Sequence, residues 1–159
     1  MAMHTWFECK IRYEKVMENG MQKKVTELYL VDALSFTEAE ARIIEEMTPF
    51  ISGEFTVSDI KRANYSELFP SDEESADRWF KCKLIFITLD EKSGAEKKTS
   101  TQVLVQAADL RDAVKKLDEG MKGTMADYQI GMVSETPLMD VYPYSAEPND
   151  KPEFDPAKS

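Results

Sequence analysis

Histidine and cysteine are almost missing from this 159-residue chain, which has one of the first, His4, and two of the second, Cys9 and Cys82. A single histidine leaves no material for a histidine triad or a multi-histidine metal site. His4 also precedes the first patterned segment, where a loose terminus is the expectation. Two cysteines without a Cys-x-x-Cys spacing exclude a disulfide scaffold and point to free thiols in a reducing cytoplasm. No apolar run approaches the roughly 18 residues of a membrane span. The opening MAMHTWFECK lacks the apolar stretch of an export signal. Neither a membrane partner nor secretion is therefore expected.

Motifs of catalysis are missing too. The chain has no phosphate-cradling glycine loop, nucleophile elbow or dinucleotide fingerprint. Carboxylates are abundant, but Glu38, Glu40, Glu45 and Glu46 read as a solvated helix surface. Asp72, Glu73, Glu74 and Asp77 read as an extended linker. Neither group alternates oxygen ligands around a glycine as a calcium loop does. No metal or other cofactor is expected, and nothing positive supports an enzyme.

What is present is a folding composition: 42% apolar, 31% charged, and a formal charge of −10. That suits one domain, or two small repeats sharing a core. The acidic balance speaks against duplex nucleic acid, whose phosphates need lysine and arginine.

Compared with itself, the chain reads as an internal duplication. Trp6-Phe7-Glu8-Cys9-Lys10 returns as Trp79-Phe80-Lys81-Cys82-Lys83. Val31-Asp32-Ala33 answers Val105-Gln106-Ala107, while Phe36, Ala39, Ile43 and Met47 answer Leu110, Ala113, Leu117 and Met121. Phe55, Val57, Ile60 and Pro70 answer Tyr128, Ile130, Val133 and Pro143. The register slips by one residue at the first turn and slips back after the helical stretch. The boundaries expected are residues 1–72 for the first repeat, 73–144 for the second, and 145–159 for a solvated tail rich in proline and charge.

Each repeat predicts strand, strand, helix, strand. Phe7, Cys9, Ile11 and Tyr13 alternate with Glu8, Lys10, Arg12 and Glu14, a period of two. Asn19-Gly20 predicts a tight hairpin turn, and Asp90 to Gly94 a longer one. Ser35 before Glu38 and Asp109 before Asp112 mark helix starts. Thr48-Pro49 closes the first helix, and Gly120 or Gly123 the second. The last strand of each repeat changes parity midway, which predicts a bulge. The fold class is α+β, with two ββαβ-like repeats, antiparallel sheets, one helix on a face of each, and a pseudo-twofold relation.

Two surfaces carry functional expectations. Parity places Trp6, Lys10 and Arg12 on one outward face and Trp79, Lys81 and Lys83 on the other. Aromatic platforms beside cations hold single-stranded nucleic acid, each stacked base contributing about 1–3 kcal/mol. The alternative is that the tryptophans cap the core edge while the lysines keep the face soluble. The second surface is Ile85, Ile87 and Leu89, where the first copy has Arg12, Glu14 and Val16. A strand apolar on both faces needs a cover: the sister repeat, the tail, or a second copy of the chain as a homodimer. Cys9 and Cys82 share the inward face and read as small buried hydrophobes.

The doubled Trp-Phe-x-Cys-Lys motif, the stretch from Leu30 to Ala41 and the ending Asp140-Val141-Tyr142-Pro143-Tyr144 resemble a group of short proteins from gut anaerobic bacteria. That group is known only as a domain of unknown function. The resemblance spans the chain to Tyr144 and implies a bacterial cytoplasmic setting; it lends no activity and no site residues. The function expected is a non-catalytic binding or assembly module acting through sheet surfaces, with single-stranded nucleic-acid binding as the alternative.

Overall fold

Alternation along the first two strands is strict enough to fix their faces. In the computed structural model, which describes residues 5–143, β1 (Thr5–Val16) pairs antiparallel with β2 (Gln22–Ala33). His4 and the tail expected at 145–159 lie outside the described residues. Phe7, Cys9 and Ile11 are buried on one face with Tyr29, Val31 and Ala33 beside them. Against that face packs α1 (Phe36–Met47), whose buried Ala39, Ile43 and Met47 recur at helical spacing. The Ser35 hydroxyl accepts the Glu38 amide at 3.1 Å, and the Glu38 carboxylate accepts the Leu34 amide. Two donors at the helix start are thereby satisfied. β3 (Phe55–Ala63) follows on the other side of β1. Its register slips between Lys10 and Ile11, so that Ser58 has no partner and forms the bulge anticipated from the parity change.

The same order recurs further along. β5 (Arg78–Leu89) and β6 (Glu96–Ala107) form the second hairpin, α2 (Leu110–Gly120) packs on it, and β7 (Asp127–Glu135) flanks β5. The core here is Phe80, Cys82, Leu84, Val103, Val105 and Ala107 against Ala113 and Leu117. Asp109 accepts the Asp112 amide at 2.8 Å. The β5–β7 register slips between Lys83 and Leu84, leaving Gly131 as the extra residue.

The hairpin turns correct one expectation. Asn19-Gly20 does not make a two-residue turn with two positive φ angles; only Gly20 is positive, at φ 83°. Met17 N–H donates to Met21 O and Gly20 N–H to Met17 O, which encloses Glu18, Asn19 and Gly20 in a three-residue loop. In the second hairpin Asp90 N–H donates to Ala95 O, and four residues are enclosed, again ending on a positive-φ glycine, Gly94. The one-residue slip read from the sequence is this extra loop residue.

Two short strands were not expected. β4 (Glu67–Phe69) lies parallel to β6, and β8 (Leu138–Tyr142) lies next to β2. The result among the described residues is a mixed α+β fold of two four-stranded sheets, ordered β3-β1-β2-β8 and β4-β6-β5-β7. The second sheet is therefore not wholly antiparallel. The described residues form two compact units: residues 5–63 with 140–143, and residues 64–139.

Candidate binding faces

Each sheet buries one face under its helix and turns the other away. In the first unit the turned-away face carries Trp6, Glu8, Lys10, Arg12 and Glu14 from β1. Beside them stand Lys24, Thr26, Leu28, Leu30 and Asp32 on β2, and Thr56, Asp59 and Lys61 on β3. Trp6, Lys10 and Arg12 thus do share a face, Trp6 and Lys10 half-buried and Arg12 exposed. Four cations on it (Lys10, Arg12, Lys24, Lys61) meet four acids (Glu8, Glu14, Asp32, Asp59). The Lys61 ammonium sits 3.7 Å from the Glu8 carboxylate. A face with no net charge gives little steering to a phosphate backbone.

The turned-away face of the second unit is different. Trp79, Lys81, Lys83, Ile85, Ile87 and Leu89 run along β5. Gln102, Ser100, Lys98 and Glu96 flank them on β6, and Ser134, Met132, Gln129 and Asp127 on β7. Three cations meet two acids here, in a chain of net charge −10. Trp79 is only 5% exposed, so its ring offers no free face on which a base could stack. Lys81 is half-buried and Lys83 exposed. Ile85 and Ile87 are half-buried, Leu89 is 68% exposed, and Met132 across from Lys83 is 39% exposed. Ile85 closes over the bulge, since a Cβ on Gly131 would lie 2.9 Å from its Cδ1.

Inside, the first unit holds a polar group that the sequence did not announce. Glu27 accepts the Tyr29 hydroxyl at 2.9 Å and the Tyr13 hydroxyl at 3.2 Å. Burial first, then the Glu27 carboxylate, hold both phenols protonated above the usual tyrosine range. The matching places in the second unit are Phe86, Thr101 and Val103, with no such network. An aromatic–cation group was also missed. Phe36 meets Phe7 edge-on at 4.9 Å, and the Arg62 guanidinium lies 5.4 Å from the Phe36 ring centre. Only the β1–β3 register, which sets Arg62 opposite Phe7, would have revealed it.

The thiols are inert. Cys9 and Cys82 are free and fully buried, and burial pushes them up to about 12 and about 11. Among the described residues no cluster of three or more His, Cys, Asp or Glu side chains could hold a metal ion. No helix among them is long and apolar enough to cross a membrane.

Lys116 on α2 is a cation with three partners. Its ammonium donates to Glu73 at 2.8 Å and to Ser71 at 3.2 Å, and pairs with Asp112 at 2.9 Å. The bond to Glu73, aided by Asp112, keeps it charged above the usual lysine range, while the Ala108 amide and Lys116 hold Asp112 below the usual carboxylate range. These bonds tie the segment after β4 to the helix, and a groove of about 720 Å³ runs between Phe69, Glu73, Lys116 and Gly120. With its ammonium saturated by its own chain, Lys116 has no donor to spare for a ligand.

Compared with known proteins, the chain finds no match among the curated ones. A family model does match residues 5–144, nearly the whole chain, and the chain belongs to that family, described as a domain of unknown function (DUF4494).

Proposed function

We propose that the chain is a non-catalytic binding and assembly module that pairs with a second copy of itself through the turned-away face of its second sheet. The observation that carries this reading is the strip Ile85, Ile87, Leu89 and Met132, apolar and partly exposed on a face set away from the helix. Charge supports a self-complementary partner. Ile87 is flanked by Lys98 on β6 and Asp127 on β7. A twofold axis along β5 sets Lys98 of one copy against Asp127 of the other.

The reading includes a tandem origin, with residues 1–72 and 73–144 as copies. It is supported by the twice-used element order, the two bulges and the paired caps. It also includes a cytoplasmic setting, in which the buried thiols stay reduced.

Light scattering at high concentration is expected to give a dimer. Ile87→Lys and Leu89→Lys are expected to give monomers of unchanged melting temperature. A wild-type monomer throughout the concentration range overturns the reading.

Single-stranded nucleic acid is the second reading, favoured by Lys81, Lys83 and Lys98 on that same face. It predicts a salt-sensitive rise in fluorescence anisotropy of labelled single strands that Lys81→Ala and Lys83→Ala abolish. No binding below the high-micromolar range removes it.

A further inference from the structure

The short strand of each sheet follows, along the chain, the last long strand of the other sheet. β4, which follows β3 of the first sheet, pairs with β6 of the second. β8, which follows β7 of the second sheet, joins β2 of the first. Each of these strands is gripped just beyond its end by a cation at the seventh position of a helix. Arg42 on α1 donates to Pro143 O at 3.0 Å and also to Asp32 O. Lys116 on α2 donates to Ser71 and Glu73. At the base of β8, Thr136 donates to Trp79 O from both amide and hydroxyl at 2.9 Å, and Pro137 follows.

β8 is thus a strand with a short stalk, a complementary slot, and a lock at its tip. Its seat beside β2 buries Val141 and stacks Tyr142 on Tyr29 at a ring distance of 6.1 Å. Any copy of the chain presents the same slot and the same lock. If β8 leaves its own slot and enters that of a second copy, the place beside β2, the stack on Tyr29 and the bond from Arg42 to Pro143 O are remade there. Exchange of this kind has a small equilibrium cost and a large kinetic one, because the lock and the strand pairing must first open.

We propose that the chain forms a second, strand-exchanged dimer in which β8 of each copy completes the first sheet of the other. This association needs neither Ile87 nor Leu89 and is separate from the face-to-face pairing above.

The test uses the full chain carrying Tyr29→Cys and Tyr142→Cys, held at high concentration just below its melting temperature and then cooled. The dimer fraction is treated with a short bis-maleimide and run on a denaturing gel. Covalent dimers are expected, since the joined positions then belong to different copies. Covalent bridges confined within single chains overturn the exchange and leave the face-to-face reading standing. Failure of any heated sample to dimerise beyond the unheated level also overturns it. Should the double variant not fold, Arg42→Ala decides: it is expected to reach the dimer about fivefold faster than the wild type, the factor lost with its bond to Pro143 O, the one that holds β8. An unchanged rate overturns the lock.

Discussion

Phe69 and Tyr142 end the two fourth strands, each followed by a proline, yet they are seated by opposite means. Phe69 lies close against a helix backbone, because the eleventh residue of α2 is Gly120 and a Cβ there would meet the ring at 2.7 Å. The eleventh residue of α1 is Glu46, and there the aromatic ring turns aside and stacks on Tyr29. Burial, with Asp140 and Glu46 nearby, raises the Tyr142 hydroxyl to about 12. The place of the aromatic is set by topology, and the chemistry that receives it is free to differ. Further along the same core face the contrast deepens: Tyr13, Glu27 and Tyr29 form a hydroxyl–carboxylate group where the second unit has Phe86, Thr101 and Val103.

The largest expected effect probes what the two units share. Ile11 and Leu84 are 0% and 1% exposed at matching places in β1 and β5. Truncating either to alanine is expected to cost about 2–5 kcal/mol in guanidinium unfolding. Leu84→Ala should fall at the upper end, because the neighbour across from Ile11 is Glu27, whose carboxylate can draw water into the space. Equal losses would show that the polar group does not soften its surroundings. Next comes Gly120→Ala, which pushes a methyl group into the Phe69 ring and is expected to cost about 1–3 kcal/mol. Glu46→Ala, at the matching place in α1, is expected to change little.

The smallest of the expected losses is Tyr29→Phe, about 1 kcal/mol at neutral pH for one lost bond to Glu27, with Glu46→Ala as the control that loses nothing. Its pH dependence is the sharper probe. The folded state raises the phenols of Tyr13 and Tyr29 above their unfolded values, so it holds protons that the unfolded chain has released. The stability from this source is complete below about pH 10 and is lost as pH rises toward the folded values. Melting curves from pH 8 to pH 12 are expected to fall for the wild type and to flatten in Tyr29→Phe. The same slope in both would place the alkaline sensitivity elsewhere, among the other raised acids: Cys9, Cys82, Tyr128 and Tyr142.

Much of this architecture was legible because the strands are long and half-buried. Twelve-residue strands such as β1 and β5 repeat their alternation often enough to declare a face. The parity breaks at Ser58 and Gly131 declare bulges, and the cap side chains of Ser35 and Asp109 declare helix starts. β4 is three residues long and β8 five, too short for a period to show. The parallel pairing of β4 has no local signature, since it depends on where the chain goes after Ala63.

The candidate faces were half legible. Parity placed Trp6 with Lys10 and Arg12, and Trp79 with Lys81 and Lys83, but it cannot report what covers a face. Trp79 is 5% exposed where Trp6 is half-buried, a difference that the shared Trp-Phe-x-Cys-Lys pattern does not show. Glu27 went unnoticed because Tyr13, 14 residues away, becomes its neighbour only through register, and Tyr29, two residues along the same strand, signals no network by itself.

One consequence of the connectivity is mechanical. Thr5 opens β1 and Tyr142 closes β8, so both ends of the described chain are gripped by the first sheet, with residues 64–139 strung between them. Tension applied at the two ends is borne by that sheet before it reaches the second unit. Stretched in an optical trap, the protein should yield first where β8 tears free, and the second unit should carry load only after that rupture.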